Sequence, residues 1–369
     1  MPSGHARVFI VDDSAVMRSL LRSVVLAHPA LEVAGTAADG ASALHIFTFL
    51  KPDLVLLDVE MPVMDGLATL RELRRRGHRM PVIVCSSLTQ RGARVTLDAL
   101  AGGASDYVAK PFNQPSREAA FQALSQELIP KILALTGLLP APPAAPPRLV
   151  SIGPAAAPQP LPAAPRVVAI GVSTGGPAAL DVVLPGLPHN FALPVLVVQH
   201  MPEVFTHLLA ERLNESCPLA VQEACEGLSV APGNVYIARG NWHMEAQPPA
   251  SPAALPTLHL TQGALENHCR PAVDAMLRSA VRVYGSGVLA VILTGMGADG
   301  LAGCRAVREA GGTVLAQDQP TSTIWGMPGA VANAGLALKV LPLGALSAEI
   351  QRIANRPGVD VRPAYRMVV

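Results

Sequence analysis

Proline divides this chain. Between Pro140 and Pro165, ten of 26 residues are Pro and eight are Ala, Arg148 carries the only charge and there is no aromatic residue. Such a segment buries too little apolar surface to offset the entropy of ordering it. Its prolines favour extended polyproline conformations instead. Residues 140–165 therefore read as a semi-rigid linker. On either side lie candidate domains at 1–139 and 166–357, followed by a short tail at 358–369. A length of 369 residues accommodates that division.

Charge and hydropathy narrow the function classes. The chain holds 28 Lys+Arg against 27 Asp+Glu, a formal net charge of +1. Neither side of the linker is basic, and no helix-turn-helix pattern ends in a basic helix, so a nucleic-acid-binding output is not expected. Half of the residues are hydrophobic, yet no uncharged apolar run reaches the ~20 residues of a membrane span. The nearest candidate, 283–298, contains five Gly or Ser residues and is bounded by Arg282 and Asp299. The first residues run quickly into Asp12-Asp13 and do not read as a signal peptide. The cysteines at 85, 217, 225, 269 and 304 form no CxxC pair. That usage suits buried small hydrophobes in a reducing cytoplasm.

Before the linker, apolar runs near 7–11, 31–36, 53–57, 81–85 and 105–108 alternate with helical patterns such as 14–28. Five βα units imply a parallel sheet covered on both faces. Ligands of such sheets sit at the carboxyl ends of the strands. Here those ends carry Asp12-Asp13, Asp58, Ser86 and Lys110. Three converging carboxylates need a hard cation, and oxygen ligands suit Mg²⁺. A carboxylate, a metal, a hydroxyl and an ammonium are the parts that accept a phosphoryl group.

The motifs VDDS (11–14), LLDVEMPVMDGL (56–67), SSLT (86–89) and GASDYVAKPF (103–112) resemble the receiver domain of two-component response regulators. The resemblance implies Asp58 as phosphoacceptor, with Mg²⁺ held by Asp12, Asp13, Asp58 and the backbone carbonyl of Glu60. Ser86 and Lys110 would contact the phosphoryl group, and Tyr107 would be the aromatic switch residue. It also implies a cis peptide before Pro111.

Beyond the linker, RVVAIGV (166–172), PVLVVQ (194–199) and GVLAVILT (287–294) read as buried parallel strands, while 217–262 reads as a β-rich insertion of short strands and turns. The first strand runs into GVSTGGP (171–177), a Gly-rich turn with Pro177 suited to the first turn of a helix. Ser173 there would lie beside backbone N–H groups, as a serine nucleophile requires. His200 follows the second strand and Asp299 the third, so all three fall on one rim of one sheet. A Gly-rich turn can also cradle phosphate, and Asp299 alone could be a helix N-cap. Backbone N–H groups near Ser173 and in 295–297 are the expected oxyanion donors. Arg270 reads equally as a substrate contact or a structural ion-pair partner. His243 and His268 read as structural or near-site residues, structural the better reading, and the turn Trp325–Pro328 as core packing rather than a pocket wall.

The stretches AIGVSTGGP (169–177), VVQHMP (197–202), APGNVYIARG (231–240), RPAVD (270–274), LTGMGADG (293–300) and AQDQPTSTIWGMPGAV (316–331) resemble the catalytic domain of bacterial chemotaxis methylesterases, the CheB family. The resemblance implies an α/β protein: a five-stranded (βα)5 receiver, then a doubly wound methylesterase domain. It implies a serine hydrolase that demethylates glutamyl side chains of chemoreceptors and deamidates receptor glutamines. Ser173 would be the nucleophile, His200 the base and Asp299 its orienting acid, with no cofactor for the ester chemistry; Thr174, Met296 and Arg270 are the candidate substrate contacts read from the residues themselves. Partners would be receptor cytoplasmic domains and a histidine kinase, with no nucleic acid and no membrane insertion. The unphosphorylated receiver would inhibit. The alternative is a catalytically silent response regulator that docks on chemosensory proteins.

Overall fold

A computed structural model of the chain describes residues 4–87, 89–111, 114–138 and 164–355. The expected linker, except its last two residues, and the expected tail lie outside the described residues. Two compact units are present, and the two main sheets belong to different ones.

The first sheet contains β1 (Ala6–Val11), β2 (Leu31–Ala37), β3 (Leu54–Asp58), β4 (Val82–Ser86) and β5 (Asp106–Ala109). Their order is β2-β1-β3-β4-β5, and every pair is parallel. Between and after them run α1 (Ala15–Leu26), α2 (Gly40–Leu50), α3 (Gly66–Arg75), α4 (Gln90–Ala101) and α5 (Arg117–Leu135). Each helix starts where the sequence supplies a cap. Ser14, Asp39, Asp65, Thr89 and Ser116 are extended, and each side chain accepts a backbone N–H three residues on. Such caps contribute about 1 kcal/mol apiece. Strands β3 and β4 are buried throughout, as expected for a sheet covered on both faces. The order reverses between β1 and β3, so the topological switch point lies where Asp12, Asp13 and Asp58 end their strands.

The expected cis bond before Pro111 is not found: among the described residues the cis X-Pro bond is Arg270–Pro271. The two isomers of an X-Pro bond differ by only about 0.5–1 kcal/mol, so local contacts decide the outcome.

The second sheet has seven strands: β6 (Val167–Val172), β7 (Val195–Gln199), β8 (Ala220–Glu223), β9 (Asn234–Ile237), β12 (Val288–Ile292), β13 (Thr313–Gln317) and β14 (Lys339–Leu341). The order is β14-β13-β12-β6-β7-β9-β8, parallel throughout. Helices α6 (Gly176–Val183), α7 (Glu203–Ser216), α8 (Val273–Tyr284), α9 (Leu301–Glu309), α10 (Met327–Asn333) and α11 (Leu343–Ala354) connect or follow these strands. The stretch 217–262 is only partly an insertion. Its strands β8 and β9 extend the main sheet, while β10 (His243–Gln247) and β11 (Thr257–Thr261) form a separate antiparallel ribbon. That ribbon packs on α8: Ala246 N–H donates to Ser279 Oγ at 2.9 Å, and Met244 and Leu258 join the buried cluster of Met276 and Leu277. At the sheet edge β8 is only partly buried, so its sequence lacks the continuous apolar run of a central strand.

Helix α8 crosses closely over β6, and Gly171 permits it. A Cβ at Gly171 would lie 2.4 Å from Val273 Cγ1. Gly171→Ala should therefore destabilise the second domain by roughly 1–3 kcal/mol, the usual cost of overpacking. Denaturant unfolding measures this, and an unchanged midpoint would mean that α8 can move aside freely.

Candidate active site and phosphoacceptor pocket

In the first unit, carboxylate oxygens of Asp12, Asp13 and Asp58 lie within 4.8 Å of one another. Asp12 and Asp58 are buried, whereas Asp13 is exposed. Lys110 reaches both buried acids, its Nζ 2.9 Å from Asp12 Oδ2 and 2.7 Å from Asp58 Oδ2. The ammonium is itself aimed by a main-chain bond, Lys110 N–H to Ser86 O at 2.7 Å. Glu60 N–H donates to Asp58 Oδ1 at 3.2 Å. Burial raises the Asp58 carboxyl to about 6, although Lys110 opposes that shift. Two buried acids sharing one ammonium, with a third acid at the rim, form an oxygen-rich set that fits a hard divalent cation.

Ser86 and Tyr107 are placed less directly. The Ser86 hydroxyl donates to Gly92 O at 3.1 Å, so it is turned toward the first turn of α4. Tyr107 lies on β5, where its carbonyl accepts from Lys131 Nζ at 2.6 Å and its ring lies under the same ammonium.

In the second unit, Ser173, His200 and Asp299 follow β6, β7 and β12, which are neighbours in the sheet. The strand order reverses beside β6, so this rim is again the crevice where ligands are expected. Ser173 is held by its backbone: its N–H donates to Thr294 O at 3.0 Å, and its carbonyl accepts from Gln199 Nε2 at 3.0 Å. Thr294 N–H in turn donates to Gln317 Oε1 at 2.8 Å, which ties β13 into the same network. Gly295 makes room for the serine, because a Cβ there would lie 2.9 Å from Ser173 Cβ and 2.4 Å from Met327 Sδ.

His200 Nε2 and Asp299 Oδ2 are 2.8 Å apart. The other ring nitrogen, Nδ1, lies 3.7 Å from Cys269 Sγ, a neighbour that the sequence reading did not single out. No hydrogen bond joins Ser173 Oγ to His200 among the described residues. Such contacts are often long in ligand-free sites. Burial pushes the imidazole down, but the bond to Asp299 and the contact with Cys269 outweigh it and leave it raised at about 9. Burial pushes Asp299 up, yet His200 and the backbone donors hold it below the usual carboxylate range.

Asp299 also caps a helix, though not its own. It accepts from Val273 N–H at 2.7 Å and Asp274 N–H at 3.1 Å, the first turn of α8. Gly300 N–H and Asn267 Nδ2 complete the set, each at 2.9 Å. Of the expected oxyanion donors, the N–H groups of Ser173 and Gly295 are committed, to Thr294 O and Ile324 O. Those of Met296 and Gly297 have no hydrogen-bond partner among the described residues. Thr174 follows the serine in the same turn.

Arg270 makes no ion pair among the described residues. Its Nη1 donates to Gln262 O and Gly263 O, and its Nε and Nη2 donate to Asn241 Oδ1. The guanidinium therefore clamps two loops. His243 is structural, with ring nitrogens on Ala264 O and Ala272 N–H. Trp325 is likewise structural: its indole donates to Gln317 O, and its ring closes over Gly329. His268 is exposed on the loop before α8.

Two family models match the chain: the response regulator receiver domain over residues 8–122 and the CheB methylesterase over 168–350. The chain is 48% identical over 367 residues to a protein-glutamate methylesterase/protein-glutamine glutaminase of a Nocardioides species, covering 97% of this chain and 98% of that one. A protein of the same name from Trichodesmium erythraeum is 45% identical over 353 residues, covering 94% and 98%. One from Azospirillum brasilense is 40% identical over 384 aligned positions, covering 96% of each. The strand-end sites of both units thus fall within matched domains, and the chain belongs to the CheB methylesterase family, with a receiver domain ahead of the methylesterase domain.

Proposed function

We propose that this chain is a phosphorylation-regulated serine hydrolase that removes methyl esters from glutamyl side chains of chemoreceptors and deamidates receptor glutamines. The observation that carries the reading is the Asp299–His200 pair, held at the end of β12 and β7 beside the Ser173 turn. A purely docking regulator has no use for a buried carboxylate–imidazole pair at that crevice.

In this reading Ser173 Oγ attacks the ester carbonyl, and His200 takes the hydroxyl proton. Asp299 holds the imidazolium through its Nε2, so Nδ1, which lies 3.7 Å from Cys269 Sγ, is the nitrogen left to take the serine proton. The N–H groups of Met296 and Gly297 receive the oxyanion. His200 then gives its proton to the departing methanol. Water, deprotonated by the same imidazole, hydrolyses the acyl-enzyme and restores Ser173. An amide substrate follows the same path and releases ammonia. Thr174 and Met296 border the reacting carbonyl, while Arg270 acts through the loops it clamps.

In the receiver, Asp12, Asp13, Asp58 and the Glu60 carbonyl would hold Mg²⁺, which would supply charge neutralisation for phosphoryl transfer. Asp58 accepts the phosphoryl group from a histidine kinase or a small phosphodonor. Lys110 then balances the added charge, and Ser86 leaves the Gly92 carbonyl to meet it. Tyr107 reports the change at the domain surface. The inhibitory state is the unphosphorylated one. No helix among the described residues is long and apolar enough to cross a membrane, and action in the cytoplasm on receptor cytoplasmic domains fits that.

Methanol release from methylated receptor membranes tests the hydrolase. Ser173→Ala should lower it by roughly 10³-fold or more. Retained release would exclude Ser173 as nucleophile.

The raised His200 sets a pH expectation. A general base must be neutral, so kcat/KM should rise with pH through a limb above the ordinary imidazole value of ~6.5. Asp299→Asn should lower that limb and slow turnover by roughly 10⁴-fold. NMR titration of the imidazole and the pH–rate profile both check this. An unshifted limb would mean that Asp299 does not control His200.

Acetyl phosphate with Mg²⁺ should accelerate the wild type and leave Asp58→Asn unchanged. Equal acceleration of both would remove Asp58 from the switch.

A further inference from the structure

The loop before α8 holds a tight turn. Glu266 and Cys269 exchange backbone hydrogen bonds, 3.1 Å for Glu266 N–H to Cys269 O and 2.8 Å for the reverse pair. The two central residues, Asn267 and His268, both have positive φ, at 50° and 63°. Turns with positive φ at both central positions favour Asn, Asp and Gly. Asn tolerates this backbone because its short polar side chain can hydrogen-bond locally.

The Asn267 carboxamide spends its two N–H groups on two different acids. Nδ2 donates to Asp274 Oδ2 at 3.0 Å and to Asp299 Oδ1 at 2.9 Å. Both acids are buried. When ionised, each can only accept hydrogen bonds, so neither can satisfy the other. The second oxygen of Asp274 is already taken by Gly303 N–H at 2.6 Å. Asn267 is thus the side chain that bridges the acid of α8 to the acid that holds His200. The same turn carries Cys269 to the other nitrogen of that imidazole.

We propose that Asn267 is a positioning residue of the esterase centre: by bridging Asp274 and Asp299 it fixes the carboxylate that orients His200. The inference rests on the assignment of Ser173, His200 and Asp299 made above. Asn267 does not touch the reacting atoms. It removes the freedom of Asp299 to rotate away from the ring, and it separates two buried charges of like sign with a neutral double donor. An apolar replacement removes the donor of Asp274 Oδ2 and one of the three donors on Asp299 Oδ1, and Asp would set a third carboxylate against them.

The test uses full-length Asn267→Gly and Asn267→Asp. Both replacements keep the positive-φ turn accessible, and both remove the two donors. The expected result for each is a ten- to hundredfold fall in kcat, with KM within twofold of wild type and an unchanged extent of Asp58 phosphorylation. A variant that folds and keeps wild-type kcat overturns the proposal, because the turn backbone alone would then suffice. A loss confined to KM overturns it as well, since that places Asn267 in substrate binding. Ser173→Ala, run alongside, separates the two failures. If Ser173→Ala retains release, the triad assignment falls. If it is inactive while Asn267→Gly runs at the wild-type rate, only the Asn267 inference falls.

Discussion

The second domain depends on how one buried carboxylate is satisfied. Asp299 accepts from five donors: His200, the N–H groups of Val273, Asp274 and Gly300, and the Asn267 amide. A buried charge with fewer partners costs several kcal/mol and would neutralise or move. Because the donors come from β7, α8, the turn at 266–269 and the loop after β12, meeting that demand fixes four segments at once. Helix α8 gains its missing cap from the same group, since the methyl of its own N-cap residue, Ala272, cannot accept a hydrogen bond. The anion that results raises the imidazole and is itself stabilised by it.

Both domains place their chemistry by the same geometric rule. Parallel strands end at one rim, and the rim opens where the strand order reverses. In the receiver that rim collects acids and a lysine, the set on which the proposed cation binding and phosphoryl transfer rest. In the methylesterase domain it collects a serine, an imidazole and an acid, the set on which the proposed acyl chemistry rests. Close approach at the second rim relies on missing side chains. Gly171 lets α8 reach the sheet, and Gly295 leaves space beside Ser173.

Much of this was legible beforehand, for a physical reason. Strands buried on both faces must be largely apolar, so β3, β4, β6, β7 and β12 announce themselves as short runs rich in Val, Ile and Leu. The polar residue that ends each run then marks the rim. The edge strand β8 carries no such signature, and 217–262 reads as an insertion although β8 and its inner neighbour β9 extend the main sheet. Arg270 illustrates a different limit. Its charge suggested an acid or a substrate, yet its donors go to one amide oxygen and two carbonyls. Asn267 was invisible for a related reason: its role depends on two acids 7 and 32 residues away.

The sequence by itself determined the alternation of strands and helices and the identities of the groups at the strand ends. These are local properties: conformational preference, apolar periodicity and the residue that follows a buried run. Only the tertiary structure decided which of those groups meet. It brought Asp299 to His200, set Lys110 between Asp12 and Asp58, and turned the Ser86 hydroxyl to Gly92. It also drew Asn267 and Cys269 into the centre. Hydrogen bonds between residues distant in sequence depend on angles and separations of a few tenths of an ångström, and the packing of helices on a sheet sets those.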